Sequence, residues 1–261
     1  MNKLLAFLLS VTTVFTLFSG RAGDPNYEKN CLTPLGHDQA EALAERLYRN
    51  GVRADAVCSS KYGRAVETAE HTAKKYGLPV QILDFAHEIE SEPSSLSPEE
   101  QQKYGSWPAS FEYVKDGINL SVEDPRQFVL YGKTGVGDSD RRVREGFDAW
   151  LAAGGYEKEG LYYRCTRKND SEVLFFTHGG VISFLVAYLL HINPLAVCCY
   201  TRVRCTGITE IEFAGNPGDA VCPVLYCFDD ASHLELLGPM AADTAVGASE
   251  ATAASSADGI R

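Results

Sequence analysis

Hydrophobic positions along this chain switch repeatedly between two patterns: stripes recurring every three to four residues, and short unbroken apolar runs. Ala40, Leu43, Ala44 and Leu47 form the first stripe, which predicts a helix capped by Thr33, begun by Pro34 and stopped by Gly51. A second helix, capped at Ser59-Ser60, carries Arg64, Val66, Ala69 and Ala73 to Gly77. A third begins at Ser139, turns Val143, Phe147, Trp150 and Leu151 inward and ends at Gly154-Gly155. Val181–Leu190 is apolar all round, as a buried helix is. The runs Ala54–Cys58, Val80–Leu83, Glu172–Thr177, Thr206–Phe213 and Val224–Phe228 predict strands. In Glu172–Thr177 the Val-Leu-Phe-Phe stretch shows no alternation, which marks a strand covered on both faces. Strands alternating with helices predict an α/β domain with a largely parallel central sheet.

The N-terminus supports two readings. Met1-Asn2-Lys3 followed by the apolar Leu4–Phe18 has the form of a signal peptide, with Gly20 and Ala22 at tolerable cleavage positions. Val11–Phe18 also suits a buried strand running up to Arg21. The strand reading gives a leader over 1–10, a domain over 11–240 and a tail over 241–261. That tail, rich in Ala, Ser, Thr, Asp and Gly, lacks the apolar content to fold. Residues 91–137 break the rhythm, with Ser, Pro and Glu at 91–100 and aromatics at Trp107, Phe111 and Tyr113. They read as an insertion over a site rather than as part of the sheet.

Composition narrows the function. The chain has 261 residues, 45% of them hydrophobic, enough for one large domain with a sizeable core. A net charge of −11 argues against nucleic acid or an anionic membrane as partner, but not against an anionic small molecule held by a few local arginines. The Leu4–Phe18 run is short for a membrane span, and none is expected. The eight cysteines form no Cys-x-x-Cys pair, so reduced thiols are expected rather than a zinc site or a disulfide framework, and no metal is called for.

In open α/β sheets ligands bind beyond the carboxyl ends of the strands. Arg21, Ser59-Ser60 and His178 each follow a predicted strand, so one crevice can gather them. Arginines supply permanent, bidentate phosphate donors, and Arg21 with Arg64 are the candidate pair. His178 precedes Gly179-Gly180, where backbone N–H groups approach an anion at a helix N-terminus; the histidine itself could donate to a phosphoryl oxygen. Glu88 is the candidate general acid, with Glu90 as a weaker one; His37 and His87 are expected away from the chemistry, and His233 is a candidate for the pocket wall.

Taken in order, Arg21-Ala22-Gly23, Leu32-Thr33-Pro34-Leu35-Gly36 with Gln39-Ala40, Ser59-Ser60 with Arg64-Ala65 and Glu67-Thr68-Ala69, then Glu88, then Thr177-His178-Gly179-Gly180, resemble the histidine phosphatase superfamily, the phosphoglycerate mutase-like enzymes. The resemblance spans roughly residues 12–235. It implies a three-layer αβα sandwich and a phosphohistidine mechanism on small phosphorylated metabolites, without metal or organic cofactor. Arg21, Arg64, His178 and Gly179 would hold the phosphoryl group, and Glu88 would protonate the leaving group.

The sequence departs from the family at the nucleophile, where Ala22 stands in the place of histidine. An alanine side chain offers no lone pair, so the covalent step cannot occur there. The expectation is a catalytically impaired protein of the cytoplasm that keeps its phosphate pocket. The alternatives are an active phosphomonoesterase or mutase whose true sequence has histidine at 22, and an exported binding protein from which Met1–Ala22 is removed.

Overall fold

The computed structural model describes residues 5–11 (backbone only), 31–104 and 110–237. Arg21, Ala22, Trp107 and the expected tail from Ala241 lie outside the described residues. The strands are β1 (Leu5–Val11), β2 (Ala56–Ser59), β3 (Val80–Ile82), β4 (Tyr156–Glu159), β5 (Tyr162–Cys165), β6 (Glu172–Thr177), β7 (Ile208–Phe213), β8 (Ala220–Val221) and β9 (Val224–Asp230). The helices are α1 (Pro34–Arg49), α2 (Gly63–Tyr76), α3 (Pro98–Tyr104), α4 (Ser110–Lys115), α5 (Val129–Lys133), α6 (Val136–Gly154), α7 (Gly179–Leu190) and α8 (Pro194–Tyr200).

The central sheet runs β3-β2-β6-β1-β7-β9. β3, β2, β6 and β1 are parallel, while β7 and β9 add an antiparallel margin. Period-two alternation divides the interior side chains between two layers of helix. Val57, Leu174 and Phe176 face Leu43 and Leu47 of α1 and Ala69 and Ala73 of α2. Cys58, Val173 and Phe175 face Val143 and Phe147 of α6 and Val181, Ile182 and Leu185 of α7. This is the α/β sandwich with a parallel sheet that the strand–helix rhythm predicts.

Local signals account for the element ends. Thr33 Oγ1 accepts the N–H of Gly36 at 3.1 Å, and Pro34 opens α1. Gly77 ends α2 at φ 66°, a left-handed conformation that glycine adopts at least cost.

β1 covers Leu5–Val11, so residues 5–10, read as a leader, pair within the sheet, while the rest of the expected strand, residues 12–18, lies outside the described residues. Its register runs from Ala6 opposite Glu172 to Val11 opposite Thr177, and β7 pairs on the other side. Leu5–Val11 is apolar without alternation, as a strand between two others is.

Residues 91–137 contribute no strand among the described residues. Tyr113, Leu120, Phe128, Leu130 and Tyr131 from this segment join the core shared with α7 and α8. The helices α3, α4, α5 and α8 and a small antiparallel sheet β4-β5-β8 were not expected from the sequence. All eight cysteines are free thiols; Cys58, Cys165, Cys198 and Cys205 are buried. Among the described residues no helix is long and apolar enough to cross a membrane.

Candidate active site

β2 and β6 lie side by side and end together, and this sets the position of the site. The N–H of Ser60 bonds the carbonyl of Phe176 at 2.9 Å, so the chain leaving β2 is held against the end of β6. Ser60, Arg64 and His178 are thereby brought to one edge of the sheet. All three are buried, with 0%, 6% and 0% exposure.

Glu88 completes the cluster. It follows a turn of 3₁₀ helix at Asp84–Ala86, and the segment is anchored from two sides. Thr177 Oγ1 donates to the carbonyl of Ala86 at 2.7 Å. From α6, Arg142 donates to the carbonyls of Phe85, His87 and Glu88 at 2.7, 3.0 and 2.9 Å. The Glu88 carboxylate then stands 3.9 Å from Arg64 Nη2 and 4.0 Å from His178 Nδ1. It also accepts the N–H of Ile89 at 3.0 Å, with further backbone N–H groups from Gly180 and Val181 at the start of α7.

The two glycines were expected to let backbone amides approach a bound anion. In the structure the group seated on Gly180 and Val181 is the Glu88 carboxyl. A Cβ on Gly180 would lie 2.6 Å from Glu88 Oε1 and 3.0 Å from Ile89 Cγ1. Gly180→Ala is therefore expected to displace the Glu88 carboxylate. The expected cost is about 1–3 kcal/mol of stability, read from denaturant midpoints.

Burial shifts both titratable groups of the cluster. Burial raises the Glu88 carboxyl above its ordinary range; Arg64 and the backbone N–H groups oppose this but do not cancel it. Burial lowers His178 well below 6.5, and the charges of Arg64, His87 and Arg142 act in the same direction. The site therefore holds a neutral imidazole and a carboxyl biased toward keeping its proton.

Tyr62 packs the cluster from one side and was not singled out in the sequence. Its ring centroid lies 5.3 Å from that of His178 and 5.6 Å from that of His87, and the Arg64 guanidinium sits 5.3 Å above it. Its hydroxyl donates to Glu90 Oε1 at 2.9 Å, which ties Glu90 to the wall rather than to the center. Tyr62 also occupies the N-cap position of α2, where Ser59-Ser60 was expected. Ser59 instead donates to the Ser60 carbonyl, and the Ser60 hydroxyl meets His178. Short side chains at a strand end have competing backbone and side-chain partners, and here the neighbouring strand wins.

The remaining histidines separate clearly. His37 is half-exposed on α1 and faces His71 at 3.1 Å. His87 is buried against Tyr62 and bonds the carbonyl of Asp84 at 2.5 Å. His233 is buried near the start of β7. Its Nδ1 accepts from Arg46 at 3.2 Å and its Nε2 donates to Thr206 Oγ1 at 2.8 Å, so both ring nitrogens are satisfied within that network.

Burial and Arg46 lower His233 to about 4. The folded state thus refuses a proton that the unfolded chain accepts below 6.5, and the stability from neutral His233 is present above 6.5 and lost as pH falls toward 4. His233→Gln is expected to flatten the stability–pH curve across that window by about 3 kcal/mol, measured by urea unfolding at each pH.

An α/β sandwich that gathers an arginine, a histidine and a carboxyl group at the carboxyl ends of two parallel strands defines the class: a phosphoglycerate mutase-like fold. The family model of the histidine phosphatase superfamily, branch 1, matches residues 20–222, and the chain belongs to that superfamily. Among solved structures it is similar to a mycobacterial glucosyl-3-phosphoglycerate phosphatase, with 20% identity over 87% of this chain and 99% of that one and a TM-score of 0.57. It is similar also to a histidine-to-alanine mutant of the phosphoserine phosphatase of Entamoeba histolytica solved with phosphoserine, with 19% identity over 88% and 99% of the two chains and a TM-score of 0.55. A third similar structure, mycobacterial hydrolase 1, shares 21% identity over 87% and 98% of the chains, with a TM-score of 0.59. No curated protein sequence matches the chain.

Proposed function

We propose that this protein binds small phosphate monoesters in the crevice beyond β2 and β6 and, with alanine at 22, does not turn them over. One observation carries the reading: Glu88 lies 3.9 Å from Arg64 and 4.0 Å from His178, so a donor pair stands beside a carboxyl group whose affinity for a proton burial raises. Arg64 and Arg21 supply the charge, His178 a neutral N–H, and Gly179 the helix N-terminus. Glu88 is the group that would protonate a leaving alkoxide. No metal enters this scheme. The similar phosphatases named for glucosyl-3-phosphoglycerate and phosphoserine support a small phosphorylated ligand. The mutant that holds phosphoserine with alanine in place of a histidine supports binding without that side chain.

Without a nucleophile at 22, purified protein is expected to show neither a burst nor sustained release of nitrophenolate from p-nitrophenyl phosphate. Turnover that disappears in Arg64→Ala would overturn the reading. A second reading, an active phosphomonoesterase whose gene encodes histidine at 22, is favoured by the retained acid, since Glu88 has no use without a covalent step. Resequencing the natural locus decides between the two. We place the protein in the cytoplasm; N-terminal sequencing of protein from its own cell tests this, because export would remove Met1–Ala22.

A further inference from the structure

We infer that Ser60 sets the tautomer of His178, leaving the ring proton on Nδ1 and aimed at the crevice. The inference rests on the phosphate-binding reading for its function, but its geometry stands apart from it. His178 is fully buried, with Nε2 2.8 Å from Ser60 Oγ. Nδ1 is shielded from solvent and has no hydrogen-bond partner among the described residues. The nearby Glu88 Oε2 is 4.0 Å away, beyond hydrogen-bonding reach.

The direction of the Ser60–His178 bond follows from counting protons. A hydroxyl carries one proton and two lone pairs. Ser60 Oγ accepts the N–H of Tyr62 at 3.3 Å, which occupies one lone pair. Its proton then needs an acceptor, and among the described residues Nε2 is the partner within reach. The neighbouring Ser59 hydroxyl is committed to the Ser60 carbonyl at 2.9 Å.

If Nε2 carried the ring proton, two buried groups would go unmet: the Ser60 O–H and the Nδ1 lone pair. If Ser60 donates to Nε2, a single group is left over, the Nδ1–H. Each unmet buried group costs about 1–3 kcal/mol, so the second arrangement is favoured by about one such penalty. Native structures leave few buried polar atoms without a partner, and this one stands on the side of the ring toward Glu88, 4.0 Å from Oε2. A phosphoryl oxygen placed there supplies the missing acceptor. Ser60 is therefore a positioning residue: it acts on the ligand through His178.

Two-bond ¹H–¹⁵N NMR of the full chain at pH 7.5 without phosphate tests this, with the His178 ring assigned by its loss in His178→Gln. The expected spectrum has Nδ1 protonated and Nε2 unprotonated. In Ser60→Ala the ring is expected to move to the Nε2–H form or a mixture, and inorganic phosphate affinity to fall about tenfold. Tyr62→Phe keeps the backbone N–H on Ser60 and removes the hydroxyl that bonds Glu90, so it is expected to keep the Nδ1–H form. Nε2–H in the unsubstituted protein overturns the inference, and this arm holds even if Ser60→Ala does not fold. An unchanged Nδ1–H signal in folded Ser60→Ala overturns it as well. An Nδ1–H resonance that phosphate does not move upholds the tautomer and overturns the phosphate-binding reading.

Discussion

Ala22→His is expected to raise turnover of p-nitrophenyl phosphate by on the order of 10⁴-fold or more over the unsubstituted protein. Residues that act as one catalytic unit contribute far more together than their separate losses suggest, so restoring the missing member restores most of the rate. Arg64 and His178 both stand within 4.0 Å of Glu88, and burial, against Arg64 and the backbone amides, raises the affinity of Glu88 for its proton. The imidazole at 22 would attack phosphorus, the P–O bond to the leaving group would break, and the Glu88 proton would pass to the departing oxygen. Acid quenching is expected to trap the phosphoryl group as an acid-labile phosphohistidine. A folded Ala22→His protein that neither labels nor turns over would show that the remaining groups are not arranged for phosphoryl transfer.

Arg64→Ala is expected to weaken phosphate binding by about 30-fold to 1000-fold, corresponding to about 2–4 kcal/mol for truncating a buried charge partner. Arg64 is 6% exposed and packs over Tyr62, so the substitution removes a cation, a planar donor and a packed side chain together. Its loss also removes the main influence that favours the Glu88 carboxylate, so Glu88 should hold its proton to still higher pH. Isothermal titration of the variant and the unsubstituted protein with inorganic phosphate reads the change. Equal affinity in the two proteins would remove Arg64 from the binding machinery.

Much of this arrangement was legible before any coordinates. Thr33-Pro34 and Gly77 are strong local signals, and α1 and α2 begin or end where those residues predict. The Val-Leu-Phe-Phe run of Glu172–Thr177 identified β6 at its full extent, because a strand buried on both faces leaves no other reading of such a run. Arg64, Glu88 and His178 were each candidates, and the structure brings the three together. What failed to show is what depends on partners distant in sequence. Arg142 holds the Glu88 segment through three carbonyls, a role that nothing in an arginine on a helix announces. Tyr62 and Ser60 gain their meaning only from standing beside His178. β1 at Leu5–Val11 was read as a leader because its apolar run after Met1-Asn2-Lys3 has the form of a signal peptide, and only its pairing with β6 and β7, distant in sequence, makes it a strand.

The measurement that bears most directly on the central claim is the melting temperature of the unsubstituted protein against inorganic phosphate, at constant ionic strength set with chloride. A ligand that binds only the folded state stabilises it by RT ln(1 + [L]/Kd), about 2.7 kcal/mol at a hundredfold excess over Kd. A rise in Tm that follows this curve, and is much reduced in Arg64→Ala, is the predicted result. A Tm that phosphate leaves no higher than chloride does would contradict it, because the pocket would then lack the binding that this account assigns to it.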